Sequence, residues 1–322
     1  MTTPIAPRGT LGFAGAVLAG GVSAALFAVA LNHADSFLFF IIYLASIPLF
    51  VSGLSGGPLT ALVAAAVGLA GLFATAPSNY GVIYAFIDAV PAVALILLAL
   101  RYRVGEDRKI YWYPEGLLLT AMALYPCILF AAIAMAASGH EGGLLALTTQ
   151  FVNEATEPMK TQMPADAAVQ VTAMMQKLAV FLPSLTGLSW IFVTLISVVI
   201  AQNTNERHGW NLRSGFTLKD LHIPSWLIYA VAVTGLAGTS APAPYNYIGA
   251  NLSIILGLPF FFNGLAVVHG WAATHKATIA ILIAFYIFLS IIPLAVLLVA
   301  LLGVIDQWAN FRQRFIQKPN AT

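Results

Sequence analysis

Charged residues are scarce in this sequence of 322 residues: Asp, Glu, Lys and Arg make up 8% of it, and hydrophobic residues make up 60%. A soluble domain carries about 25% charged residues. The composition therefore excludes that class and predicts an all-α, polytopic transmembrane helical bundle whose first partner is the lipid bilayer. We expect one integral membrane domain over residues 1–322, because a membrane bundle needs no separate soluble cores.

Other scarcities exclude several kinds of site. Cys127 is the only cysteine, so neither a disulfide framework nor a cysteine-based metal site is predicted. His269 and His275 do not share a helix face, and no histidine cluster completes them as metal ligands. The net charge of +2, without a long basic run, excludes nucleic acid as a partner. No nucleotide-binding loop is present, and we predict no cofactor, no metal, no catalytic residue and no enzymatic activity.

Apolar runs close to the length of about 20 residues that a membrane helix needs recur along the chain. Residues 138–176 are more polar, and there we predict two interfacial amphipathic helices, broken near Pro158 and Pro164. These helices either cap a cavity or lie on the membrane surface. The sequence predicts about eight to nine spans, near residues 11–31, 36–54, 59–76, 80–100, 116–137, 177–202, 225–239, 247–271 and 278–305.

The basic residues orient these spans but leave one conflict. With nine spans and the N-terminus inside, nine of the fourteen bases are cytoplasmic, as the positive-inside rule expects: Arg8, Arg101, Arg103, Arg108, Lys109, Arg207, Arg213, Lys219 and Lys276. The tail bases Arg312, Arg314 and Lys318 then lie outside, against the rule. Either the tail is an exception, or one segment does not cross. The short run at 226–238 and the run split by Pro293 are the two candidates.

The segment from Tyr247 to Trp271 is long enough to span a bilayer, but it is interrupted by Pro259. Proline lacks an N–H, so the carbonyl of Ile255 loses its helical donor. Asn263 follows Pro259 by one turn on the same face, which predicts a polar spot near mid-membrane. Two interpretations are open: a kinked helix packed closely on its neighbours, or a broken helix that lines a binding site.

Asp88 lies about 12 Å inside the predicted span 80–100. An ionised carboxylate there costs at least about 2.5–3.5 kcal/mol unless it is paired. Two hypotheses follow. Asp88 is either a functional group, or a hydrogen-bonded contact between helices, for example with Tyr84 one turn earlier.

Residues 53–57 read Gly-Leu-Ser-Gly-Gly and match the G-x-S-x-G pattern of serine hydrolases. That pattern needs a strand-to-helix elbow, whereas here it joins two predicted membrane spans. An intramembrane protease would instead pair Ser55 with a histidine on another helix, and His269 is the candidate. Ordinary turn chemistry between apolar segments explains the same residues.

Three stretches in the C-terminal third carry a resemblance: GFTLKDLHIPSWLIYA, NLSIILGLPFFFNGLAVVHGW and LLVALLGVIDQWANFRQR. In their order and spacing the chain resembles the YybS-like family, which has a domain of unknown function (DUF2232). The resemblance extends over the whole chain and is strongest over residues 215–314. It implies a multi-pass protein of the bacterial cytoplasmic (inner) membrane with no assigned reaction. The chain is also distantly similar in fold to the substrate-binding subunits of energy-coupling vitamin transporters and to MreD-type cell-shape proteins, an analogy that does not carry function.

These observations support two functional hypotheses. In the first, the protein is a membrane-embedded binding or transport subunit, and Asp88, Asn263 and His269 line a polar ligand pocket between interrupted helices. In the second, it is a non-catalytic scaffold that assembles other membrane or cell-envelope proteins through its basic loops and its small-residue helix faces, such as the face formed by Gly12, Ala16, Gly20, Ala24 and Ala28. The first predicts a small-molecule ligand and the second predicts protein partners.

Overall fold

The computed structural model of the protein describes residues 12–33, 37–160, 163–215 and 221–316. Nearly all of these residues are helical, so the predicted all-α class is confirmed apart from one small hairpin. Contacts group the chain into two compact units. The first comprises the described residues of Met1–Leu118 and Trp190–Thr217, and the second those of Leu119–Ser189 and Leu218–Thr322. The single domain over residues 1–322 stays a prediction.

The first unit is built from the N-terminal helices, with the end of a long helix added from later in the chain. A 3-10 segment, Phe37–Leu44, precedes the second helix, and a π-helical segment, Ala85–Ala89, joins the fourth to the fifth. The helices are α1 (Phe13–Asn32), α2 (Ser46–Gly56), α3 (Pro58–Thr75), α4 (Ser78–Tyr84) and α5 (Val90–Ala99).

The remaining helices lie mainly in the second unit, although the ends of two of them reach into the first. They are α6 (Glu115–Ala136), α7 (Gly143–Lys160), α8 (Ala165–His208), α9 (Trp226–Ser240), α10 (Tyr245–Ala272), α11 (Thr278–Ile291), α12 (Leu294–Ala309) and α13 (Phe311–Ile316).

In the part of the chain that the structure describes, six helical segments are long and apolar enough to cross a membrane: Phe13–Asn32, Pro58–Thr75, Ser78–Ala99, Glu115–Gly139, Asp166–His208 and Tyr245–Ala272. They match six of the nine predicted spans and establish a multi-pass membrane protein. The other three predicted spans, 36–54, 225–239 and 278–305, correspond to apolar helices of 10–17 residues. The total of eight to nine spans is therefore not confirmed.

The prediction of two interfacial helices separate from the next span is wrong for the second of them. Helix α7 ends at Lys160, near the predicted prolines, but α8 then continues for 44 residues from Ala165 to His208. Residues 165–176 are therefore continuous with the helix that contains the predicted span 177–202. Pro183 lies inside this helix without ending it.

Asn251 of α10 explains how α8 tolerates Pro183. Pro183 has no N–H to donate to the carbonyl of Ala179, and its ring clashes with that carbonyl and opens the turn. The next bond of a regular helix, from the Ser184 N–H to the carbonyl of Val180, is then interrupted as well. Here the Ser184 N–H donates to Asn251 Oδ1 at 3.0 Å, and Asn251 Nδ2 donates to the Val180 carbonyl at 3.0 Å. The amide thus completes both backbone bonds, which hydrocarbon could not satisfy.

Glycines allow α10 to approach its neighbours closely. A side chain at Gly264 would fall on the carbonyl oxygen of Val299 in α12, and one at Gly303 would fall on that of Phe260 in α10. The two helices therefore touch backbone to backbone, as the interpretation of a closely packed helix predicts. Helix α10 also runs unbroken through Pro259, so the broken-helix interpretation is wrong.

The basic residues Arg101, Arg103, Arg108 and Lys109 lie in or beside a β-hairpin of the first unit, formed by β1 (Tyr102–Val104) and β2 (Ile110–Trp112). Arg213 holds it in place. The Arg213 guanidinium lies 5.9 Å from the ring centre of Trp112 and donates to the Ala99 carbonyl at 2.9 Å and to Glu115 Oε1 at 2.7 Å. This side chain is 4% exposed, so the contacts replace its lost hydration.

We predict that Asn251→Leu lowers the stability of the protein by about 2–5 kcal/mol, because the Ser184 N–H and the Val180 carbonyl lose their partners. Adding Pro183→Ala restores the regular helical bond and recovers much of the loss. Thermal unfolding in lipid nanodiscs, followed by circular dichroism, measures both. Asn246→Leu is the matched control, because Asn246 is exposed and its side chain bonds only the adjacent Tyr247 N–H. Additive effects of the Asn251 and Pro183 changes would contradict this account.

Candidate functional site

Asp88 is a buried carboxylate inside the apolar segment Ser78–Ala99 of the first unit. Its side chain is 6% exposed, and its Oδ2 atom has no hydrogen-bond partner among the described residues. The partner expected from the sequence, Tyr84, is engaged elsewhere: its hydroxyl lies 2.7 Å from Ser23 Oγ, which donates to the Ala45 carbonyl at 2.6 Å. Tyr84 therefore does not form the expected hydrogen bond with Asp88.

The backbone around Asp88 departs from a regular helix for an identifiable reason. Pro91 has no N–H, so the carbonyl of Ile87 lacks its α-helical donor. That carbonyl accepts the indole N–H of Trp190 at 2.8 Å instead. Residues Ala85–Ala89 are π-helical, a geometry that is common at functional sites within helices. Asp88 is thus positioned by an irregular but satisfied stretch of backbone.

A second polar cluster lies in the second unit, where Asn263 meets two residues that the sequence analysis did not select. Asn263 Nδ2 donates to the Gly303 carbonyl at 2.8 Å, and Asn263 Oδ1 accepts from Arg312 at 3.1 Å. Arg312 also donates from Nε to Asp306 Oδ2 at 3.0 Å. Asp306 Oδ1 accepts the Phe311 N–H at 2.8 Å. The cluster is therefore an ion pair of Asp306 and Arg312, joined by Asn263, in which the carboxylate, the guanidinium and the amide already have hydrogen-bond partners within the protein.

One feature of the sequence could have identified this pair: Asp306 is the only charged residue between Lys276 and Arg312. A lone carboxylate at the end of an apolar run favours a cationic partner nearby. The contact depends on a reversal of the chain at Asn310, whose φ is 48° and ψ 45°. Asparagine is among the few residues that tolerate this left-handed conformation.

His269 does not join Asn263. It lies in the last turns of α10 and is half-buried, and its Nε2 is 2.9 Å from the hydroxyl of Tyr286 on α11. Asp88 belongs to the first unit, whereas Asn263 and His269 belong to the second and have different partners there.

The serine of the G-x-S-x-G pattern is in a structural position. Ser55 lies near the end of α2, so a helix and not a strand precedes it. Its hydroxyl donates to the carbonyl of Val51 at 2.6 Å. This is the ordinary back-bond of a serine within a helix, and it offers no support for a nucleophile.

Two further features bear on ligand chemistry. Among the described residues, no group of three or more His, Cys, Asp or Glu side chains could hold a metal ion. A cleft of about 690 Å³ lies in the second unit beside the first turn of α7, within the size range of small-molecule sites. Its walls are apolar and aromatic and include Met135, Leu144, Tyr245, Tyr247 and Ile248.

Comparison with known proteins gives one match. The family model described as a predicted membrane protein (DUF2232) matches residues 22–307. No curated protein and no solved structure matches the chain. The match extends over both Asp88 and the Asn263–Asp306 contact.

We predict that Asp306→Ala destabilises the protein by about 3–5 kcal/mol, the cost of leaving a buried partner charge unpaired. The partner is Arg312, whose side chain is 13% exposed. The double change Asp306→Ala with Arg312→Met recovers much of the loss, because no charge then remains in the cluster. Unfolding in nanodiscs measures all three proteins, with Glu106→Gln as an exposed-carboxylate control. A double variant as unstable as Asp306→Ala would contradict the prediction.

Proposed function

We propose that this chain, which belongs to the DUF2232 family of predicted membrane proteins, is a membrane-embedded subunit that binds or transports a small molecule. It acts in the bacterial cytoplasmic membrane as a binding protein, not as an enzyme. Asp88 is the group that contacts the ligand, and the ligand offers a positive charge or a hydrogen-bond donor to its carboxylate.

The observation that carries this proposal is the unpartnered Oδ2 of a 94% buried Asp88. An intramembrane carboxylate is costly, and the other buried carboxylate of the described apolar helices, Asp306, has Arg312 beside it. A buried polar atom without a partner requires an explanation. A ligand that completes its bonding supplies one, whereas a purely structural Asp88 would be expected to pair with Tyr84.

The neighbours of Asp88 indicate how the site would work. Ser23 and Tyr84 fix each other through their 2.7 Å contact, so Tyr84 does not compete for the carboxylate. The bond from Trp190 to the Ile87 carbonyl holds the backbone beside Asp88. In this arrangement Asp88 is ready to accept a hydrogen bond from a ligand, or to exchange a proton for a cation.

The scaffold alternative loses one of its supports. Its small-residue face on α1 packs within the same unit: Ala16 is fully buried, and a side chain at Gly20 would fall on the carbonyl of Ala64 in α3. That face is therefore occupied by this chain. The basic loops remain available to partner proteins, so partner binding is an outcome to be tested.

We predict that native mass spectrometry of the protein, released gently from its own membrane, detects a small-molecule adduct that Asp88→Asn loses. The substitution keeps the size of the side chain and removes its charge, so the fold is retained and only the ligand contact changes. Glu106→Gln is the matched control, since Glu106 is an exposed carboxylate in the hairpin turn; it keeps the adduct.

Two results would overturn the proposal. One is an adduct of equal occupancy on wild type and Asp88→Asn. The other is the absence of any small molecule together with a protein partner that both variants retain, which would favour the scaffold. Circular dichroism of each variant establishes that loss of the adduct is not loss of the fold.

A further inference from the structure

We infer that residues 278–309 form a re-entrant hairpin that enters and leaves the membrane at the same face, with its turn inside the hydrocarbon. The segment beyond Asn310 then lies on the same side of the membrane as Lys276. This inference concerns the second unit alone and does not depend on the proposed function.

The direction of α12 follows from two sets of contacts with α10. Gly303 lies against Phe260 and Gly264. Arg312, nine residues later in the chain, lies against Gly270 with its Cγ 3.8 Å from the position of an added Cβ. Arg312 is only three residues beyond Ala309, where α12 ends, so the end of α12 lies near Gly270 in the last turns of α10, whereas Gly303 contacts the middle of α10. Helices α10 and α12 therefore run parallel. The residues between Ala272 and Leu294 must therefore run antiparallel to α10, so that α12 can begin near the level of the middle of α10.

Helix α11 makes that return within the membrane. Its 14 residues reach about 21 Å and the 16 residues of α12 about 24 Å, both less than the hydrocarbon thickness of about 30 Å. None of the described α11 residues is buried, and its exposed isoleucines recur every fourth position, at 279, 283, 287 and 291. An unburied apolar stripe of this kind fits contact with lipid tails.

The turn between these helices suits an apolar environment. It consists of Ile292 and Pro293, with no charged residue from Ala277 to Ile305. The Ile292 N–H donates to the Phe288 carbonyl at 3.0 Å, and the Ile292 carbonyl accepts from the Ala295 N–H at 2.9 Å. Proline brings no N–H of its own. The reversal therefore leaves few backbone groups to be satisfied, as hydrocarbon requires.

The ion pair of Asp306 and Arg312 holds the C-terminal end of α12 against α10. Asp306 is in the last turns of α12, and Arg312 follows the left-handed Asn310. Arg312 reaches back to both Asp306 and Asn263. The start of α13 is thereby tied to α10 close to the end that leads to Lys276.

The hairpin also removes the conflict in the charge distribution. With the N-terminus inside and the other eight predicted spans crossing, a segment that leaves at the face where it entered adds no net crossing, so Arg312, Arg314 and Lys318 join the nine cytoplasmic bases. Twelve of the fourteen Lys and Arg residues then lie inside, as the positive-inside rule expects. Geometry and charge, which are independent observations, thus favour the same topology.

The test is cysteine labelling with a membrane-impermeant maleimide in sealed right-side-out and inside-out vesicles. In a Cys127→Ala background, single substitutions are placed at four points: Ser240→Cys, Thr274→Cys, Ile292→Cys and Ala321→Cys. We expect Thr274→Cys and Ala321→Cys to react in inside-out vesicles and Ser240→Cys in right-side-out vesicles. Ile292→Cys reacts in neither until detergent is added.

Labelling of Ala321→Cys together with Ser240→Cys would overturn the inference, and so would labelling of Ile292→Cys in intact vesicles of either kind. A second measurement guards against misfolded variants. An epitope tag placed after Thr322 of the otherwise wild-type chain is expected to bind antibody only in inside-out vesicles. Binding in right-side-out vesicles alone contradicts the proposed topology.

Discussion

The need to satisfy every backbone polar group away from water governs this structure, and prolines show how it is met. Each proline in an apolar helix removes one donor, and hydrocarbon offers no replacement. At Pro183 the side chain of Asn251 completes the interrupted turn. At Pro91 the indole of Trp190 bonds the released carbonyl, beside a π-helical segment. At Pro293 the helix ends and the chain turns. The polar residues of the apolar helices are thus largely committed to the backbone.

Among the described residues, the buried side-chain polar atoms without a hydrogen-bond partner are Ser52 Oγ, Asn205 Oδ1 and Asp88 Oδ2, and Asp88 is the one carboxylate among them. Asn251 bridges a helix break, Ser55 bonds its own helix, and Asn263 and Asp306 are held by Arg312. Each of these has a structural role that accounts for its presence. Asp88 retains an oxygen without a partner, and this is why a ligand is assigned to it and not to the larger set that the sequence suggested.

The sequence predicted best where local chemistry decides. Long apolar runs located six helices closely, as with residues 11–31 and the observed Phe13–Asn32. For the short apolar runs, the sequence could not decide whether the segment crosses the membrane. Crossing by a helix of 14 or 15 residues depends on where the neighbouring helices place it. The pair of Asp306 and Arg312 depends on a chain reversal, and its contact with Asn263 joins residues 49 apart. Such tertiary contacts have no periodic pattern, so sequence alone selected Asn263 without its partners.

The crossing of α10 and α12 has a consequence for how freely this chain can vary. Gly264 and Gly303 each face the other helix's backbone with no room for a methyl group. A larger residue at one position cannot be compensated by a smaller one at the other, because glycine is already the smallest residue. Neither glycine can therefore be replaced by a larger residue without separating the two helices. The lipid-facing isoleucines of α11, by contrast, can be exchanged for other apolar residues with little effect on packing.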